Sequence, residues 1–348
     1  MPTIFDVAKR AGVSIATVSR VLTQPEVVAP ATRRKVMAAV ERLGYAPNAS
    51  AKNLRVRSTR RLIATVPDIS RPVYSLILVG IEDAANRLGY SVLLGDTHHD
   101  PGKEERYASM LKERQADGFI FIGFKLSDGV AAIVRGYRDQ PAPVVNVMGF
   151  KPQLGIPSVQ IDNAAAASDA MGHLYRMGHR RIGVVTGLAS GRDPLLPGPS
   201  PGYVSSERLR GALARAKKER AARDLRVVHG DYSVESGVVC ADRLLSEPEP
   251  PTAIFCFNDE MAMGVLHTAR RRKLRVPDNL SVIGIDDIHH ARFWDPPLTT
   301  VSMPMREMGE HAVRVVLGML QNGDRPAERV ILPHTLIVRA STAPPGRW

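Results

Sequence analysis

Apolar residues recur at three- and four-residue spacing from the first turn of the chain, through Ile4, Val7, Ala8 and Ala11 and, beyond Gly12, through Val18, Val21 and Leu22. That spacing predicts two short helices joined by a tight turn, the helix-turn-helix hairpin. Ser14 stands where its hydroxyl can cap the second helix. A third set, Val36, Met37, Val40 and Leu43, lies between Pro30 and Gly44, with Pro47 just beyond. It predicts a third helix that starts on proline and ends on a left-handed glycine. Residues 48–55 are small and polar around one Leu54, too short to nucleate a helix unaided. They could fold on a partner.

From Leu62 onward, short apolar runs alternate with amphipathic stretches. Strands are predicted at 62–67, 90–95, 119–122 and 144–147, with helices at 74–89 and 104–114. The rhythm restarts after Asp162, with strands at 182–185, 226–228, 253–256 and 281–285 between helices that end at 177, 218, 245 and 271. Buried strands alternating with helices imply parallel sheets covered on both faces. Two rounds imply two similar doubly wound lobes, with a ligand cleft between them beyond the strands' carboxyl ends.

A helical hairpin alone is as often a packing unit as a DNA reader. Charge separates the two. Residues 1–61 carry twelve Lys or Arg against Asp6, Glu26 and Glu41, three quarters of the chain's net +12. A one-signed block on a folded pattern is the footprint of a phosphate-contacting module. Ile15, Ala16, Thr17 and Arg20 would project from the end of the second helix that enters a major groove. Ile15, Ala16 and Arg20 are expected to dominate base choice.

The motifs Asp6-Val7-Ala8, Ala11-Gly12-Val13-Ser14, Ala16 to Leu22, Thr32-Arg33, Leu43-Gly44-Tyr45, Pro47-Asn48 and Leu54-Arg55 together resemble the LacI/GalR repressors over nearly the whole chain. One departure is Ala29, where the family usually places a capping serine. The resemblance implies a helix-turn-helix domain at 1–46, a hinge helix and linker at 47–60, and a two-lobed periplasmic-binding-protein-like domain at 61–348. Its chain crossings are expected near Asp162 and Trp294. It also implies a homodimer on double-stranded DNA with a near-palindromic operator, the two copies of Leu54 wedged into the minor groove. The DNA-contacting set is then Thr3, Ser14, Ile15, Ala16, Thr17, Ser19, Arg20, Asn48, Ala51, Lys52, Leu54 and Arg55.

Polar groups placed just after strands are candidates for the cleft. Asp286, Asn258-Asp259 and Asp231-Tyr232 follow predicted strands, and Arg208 opens a helix after a long loop. Family positions matching Arg208, Asp286, Asn258 and Tyr232 contact the effector, and Tyr74 and Asp162 join them as further candidates. Val66-Pro67-Asp68-Ile69, Leu94-Gly95-Asp96, Ile161-Asp162-Asn163 and Asp295 to Thr300 resemble the cytidine-responsive members, which implies a nucleoside effector with a sugar as the alternative. The Pro/Gly-rich loop from Gly187 to Ser206 is longer than the family pattern. It reads as a surface insertion or as a cap over the cleft, and the first is favoured.

No cofactor motif, phosphate loop or GxSxG elbow is present, so a regulator rather than an enzyme is expected. His98-His99 and His289-His290 read as surface histidines, not metal ligands. Arg270 to Lys273 reads as a helix end. Cys240 and Cys256 read as reduced core thiols, and no apolar run reaches membrane-spanning length, so a soluble cytoplasmic protein is expected. The competing class is a binding protein or enzyme of the same two-lobed fold, and the residues offer it neither an export signal nor a catalytic constellation.

Overall fold

The computed structural model describes residues 2–45, 58–123, 127–137, 142–149, 154–187, 203–322 and 329–346, and the chain divides into two compact units, Met1–Thr59 and Arg60–Trp348. In the first unit Thr3 caps α1 (Ile4–Ala11) reciprocally. Its hydroxyl accepts from the Asp6 N–H, and its own N–H donates to the Asp6 carboxylate at 2.8 Å. Gly12 ends the helix at φ 65, a left-handed turn that glycine adopts without steric cost. Ser14 then caps α2 (Ile15–Thr23), its Oγ accepting from the Thr17 N–H at 3.1 Å. The third helix, α3 (Pro30–Leu43), begins on proline with no side-chain cap from Ala29 and ends at Gly44. Val7, Ala8, Val18, Val21, Val36 and Ala39 close a small core between the three.

The second unit holds two six-stranded sheets. Lobe 1 contains β1 (Arg61–Val66), β2 (Ser91–Asp96), β3 (Gly118–Ile122), β4 (Val144–Val147) and β5 (Ser158–Ile161). Lobe 2 contains β6 (Ile182–Thr186), β7 (Leu225–His229), β8 (Ala253–Cys256), β9 (Ser281–Asp286) and β10 (Thr299–Ser302). Two late strands, β11 (Arg329–Leu332) and β12 (Thr335–Ile337), extend lobe 1 and lobe 2 respectively. The orders are β11-β5-β4-β3-β1-β2 and β12-β10-β9-β8-β6-β7. Pairing is parallel except for β12, which runs antiparallel to β10. Helices α4 (Pro72–Arg87), α5 (Pro101–Lys112), α6 (Asp128–Arg135) and α11 (Met305–Asn322) belong to lobe 1. Lobe 2 has α7 (Asn163–Arg176), α8 (Tyr203–Lys218), α9 (Val234–Leu245) and α10 (Asp259–Arg271). Strands such as β3 and β8 are buried along their whole length, which is why they read as unbroken apolar runs.

Glycines set the helix pairs. A Cβ on Gly80 of α4 would meet the Arg306 carbonyl oxygen of α11 at 2.0 Å, and one on Gly309 of α11 would meet the Ile77 oxygen at 2.2 Å. In lobe 2 Gly237 and Gly264 play the same part between α9 and α10. Such backbone contact leaves no room for a side chain between the axes.

Three features depart from the sequence reading. The first crossing falls at Asp162, as expected, but the second lies between Ser302 and Met305 rather than near Trp294. Polar Thr299 and Thr300 hid β10, a buried strand whose hydroxyls are satisfied inside. A third crossing, between Leu332 and Thr335, was not anticipated. Lastly, Arg271 and Arg272 do more than end a helix. Both pair with Asp242 and tie α10 to α9, Arg272 Nε at 3.0 Å.

Candidate functional site

The strands of both lobes end at a common cleft. Arg71, Val73, Tyr74 and Met148 from lobe 1 face Arg208, Tyr232, Asn258, Glu260 and Asp286 from lobe 2 around a narrow inter-lobe pocket. Five of the six cleft candidates are therefore brought together. Asp162 is not among the lining residues; its Oδ1 caps α7 by accepting from the Ala165 N–H at 2.9 Å. Asp231 likewise serves its own turn, accepting from the Ser233 N–H at 2.9 Å.

Arg208 is the centre of the arrangement. It is 2% exposed, and its guanidinium is held on every side. Nε donates to Asn163 Oδ1 at 3.0 Å, Nη1 donates to the Phe257 carbonyl, and Nη2 lies 3.4 Å from Met303 Sδ and 3.8 Å from Asp286 Oδ1. A buried cation needs such partners, because leaving water without them costs more than the fold could offset.

Asp286 ends β9 at φ 128, a backbone conformation rare outside glycine that turns its carboxylate back toward Arg208. Burial pushes its pKa up to about 7 against the opposing pull of Arg208. Asp259 is fully buried behind it. Burial, and the neighbouring Asp286, hold its carboxyl well above the usual range, although Thr300 Oγ1 and the Ile288 N–H donate to it at 2.6 and 3.0 Å.

Asn258 works structurally as well. Its Oδ1 caps α10 through the Met261 N–H at 2.9 Å, and its Nδ2 donates to the Tyr232 carbonyl at 2.9 Å. Tyr232, at φ 71, has its hydroxyl on Ser205 Oγ and its ring against Gly187, where a Cβ would come within 2.0 Å. Tyr74 is buried, and burial pushes its phenol pKa well above the usual tyrosine range.

Arg71, Glu260 and Asn163 were missed by sequence reasoning. Arg71 follows β1 and Glu260 adjoins Asn258, so the rule of polar groups after strands could have found both. Asn163 also follows a strand, β5, but that strand was not among the predicted ones, so the rule had nothing to act on there.

In the N-terminal unit Ile15, Ala16 and Arg20 are exposed on α2 and Thr17 and Ser19 half-buried, opposite the buried Val18 and Val21. Lys9, Arg10, Arg33, Arg34, Lys35 and Arg42 are exposed on the same unit. Thr3 and Ser14 have their hydroxyls in caps. Asn48, Ala51, Lys52, Leu54 and Arg55 lie outside the described residues, as does most of the Gly187–Ser206 loop. Among the described residues no cluster of His, Cys, Asp or Glu is disposed to hold a metal, and no helix is long and apolar enough to cross a membrane.

A helix-turn-helix unit followed by a two-lobed sensor with a charged cleft defines a regulator rather than a transporter component. The family of bacterial regulatory proteins of lacI type matches residues 3–48, and a periplasmic binding protein-like domain matches residues 171–342. The chain is 38% identical to the HTH-type transcriptional repressor CytR of Escherichia coli over 98% of its own length and 96% of that protein. It superposes on the Lac repressor dimer bound to operator and the anti-inducer ONPF with a TM-score of 0.86 at 26% identity, covering 98% of this chain and 99% of that one. The transcriptional regulator CelR in complex with cellobiose gives 0.68 at 28% identity over 98% and 100%. The chain belongs to the LacI family and is a transcriptional repressor of that family.

Proposed function

We propose that this repressor binds a near-palindromic operator as a homodimer and that a small molecule in the inter-lobe cleft sets its affinity. The cleft carries the reading. Two phenol rings, two guanidiniums, two carboxylates and an amide converge there from both lobes, a lining suited to a compact, hydroxylated and heterocyclic ligand. A ligand that touches both lobes discriminates between their open and closed arrangements, and only such discrimination can change affinity for DNA. The DNA side rests on the exposed face of α2 and the one-signed charge around it, with Tyr74, Arg208, Tyr232, Asn258 and Asp286 as the effector contacts.

A nucleoside is the favoured effector. Its base would use the aromatic and amide groups, and its ribose the Arg208–Asp286 pair. A sugar is the second reading, supported by the likeness to a regulator solved with cellobiose. A thermal-shift titration of the full chain against nucleosides, nucleobases and sugars separates the two, because a ligand of the folded state raises Tm by mass action. A rise with nucleosides that Tyr232→Ala abolishes supports the first. A rise with sugars alone overturns it and keeps the regulator.

A further inference from the structure

Arg71 stands at the mouth of the cleft, immediately before α4. It has one acidic ion-pair partner in each lobe, and Asp231 and Asp286 of lobe 2 also feel its charge. Its Nε lies 3.5 Å from Asp68 in lobe 1, and its Nη1 lies 4.0 Å from Glu260 at the start of α10 in lobe 2. Asp68 is itself fixed, accepting from the Ser70 N–H at 2.9 Å and the Ser70 hydroxyl at 2.6 Å. Asp68 thus offers Arg71 a partner within its own lobe. The Arg71 and Glu260 side chains are only 23% and 19% exposed, so both have lost most of their water in this arrangement. Burial raises the Glu260 pKa against the lowering effect of Arg71, with Asp68 and Glu235 adding to the rise. This arrangement thus strips Glu260 of solvent and sets the Arg71 cation against it.

We propose that Arg71 and Glu260 form a latch across the cleft that holds the two lobes closed and sets how readily the empty repressor opens. Asp68 acts as the rest that keeps the Arg71 guanidinium aimed across the gap. Both are positioning residues: they set the lobe equilibrium on which any cleft ligand must act. The latch bears on regulation through the effector reading above, but the latch itself concerns the empty protein. The two charges couple more strongly than an exposed pair because water no longer screens them, and since Glu260 has already lost its solvent, removing Arg71 would leave that carboxylate uncompensated.

The test needs no ligand. Lys112→Cys in lobe 1 and Glu249→Cys in lobe 2 replace exposed residues, and native Cys240 and Cys256 are buried away from a label. Spin labels on the full chain, diluted with unlabelled chain, report the inter-lobe distance by pulsed electron resonance. Glu260→Gln should lengthen that distance and lower the closed-to-open ratio about fivefold. Arg71→Gln should do the same, and the double variant should shift no further than either single one. Glu260→Asp, with its shorter reach, should fall between. Melting curves establish that each variant is folded. An unchanged distance in Glu260→Gln, or shifts that add in the double variant, overturns the latch. Either result leaves the effector reading standing, since that is decided by the ligand titration.

Discussion

Arg208 Nε donates to Asn163 Oδ1 at 3.0 Å, which places the buried cation of the cleft against the first residue of lobe 2 beyond a chain crossing. Met303, in the second crossing, touches the same guanidinium. One side chain thus senses two of the three segments on which the lobes turn. On the proposed effector reading, a ligand that draws Arg208 toward itself would loosen both contacts and so tie occupancy of the cleft to lobe movement.

Asn163→Ala removes the acceptor and leaves a buried N–H of a charged group without a partner. The expected loss is about 2 kcal/mol, read as a Tm lower by roughly 5 °C. An unchanged Tm would mean that another acceptor takes up Nε and that the crossing is not braced by Arg208.

Stability should depend on pH through Asp286. With its pKa raised to about 7, the native chain keeps this proton over a range in which the unfolded chain has lost it. On this group's account stability falls as pH rises from about 4 to about 7 and is level above. Asp286→Asn carries no such proton. Its Tm relative to the parent should therefore climb across that window and then stay constant. A difference that is flat from pH 4 to 8 would rule out the shift.

Two glycines on one helix pair should respond in opposite directions. Gly80→Ala drives a methyl into the Arg306 carbonyl and should cost about 1–3 kcal/mol by forcing α4 and α11 apart. Gly318→Ala, on the same α11, meets nothing within 4 Å and should stabilise by about 0.5–1 kcal/mol through helix propensity. Denaturant midpoints of the two variants test both signs.

Ser14→Ala deletes the cap of α2 and should cost the N-terminal unit about 1 kcal/mol. Faster amide exchange at Thr17, with the cleft unit unchanged, is the expected signature. Operator affinity should fall with it, because α2 presents Ile15, Ala16 and Arg20.

Much of this was legible in residue order. The three N-terminal helices follow from capping and spacing, since Ser14, Pro30 and Gly44 act on their immediate neighbours. The lobes follow from unbroken apolar runs such as 119–122 and 253–256. What stayed hidden depends on contacts distant in sequence. Thr299 and Thr300 look like loop residues until Asp259 and Thr342 are placed beside them, and α11 shows its partner only when Gly80 and Gly309 meet. The cleft divides the same way: Asp286 and Asn258 announced themselves by following strands, whereas Asn163 matters because of where Arg208 ends.

The order of the crossings also bears on synthesis. Lobe 1 begins at Arg61, yet its covering helix α11 and edge strand β11 are the stretch 305–332, encoded after the parallel strands of lobe 2. A nascent chain that has emerged as far as Ser302 has those lobe 2 strands in hand while the α11-facing side of α4 still lies bare. The lobe started first is among the last parts to be finished, and until then the side of α4 that α11 covers stays open to misassembly.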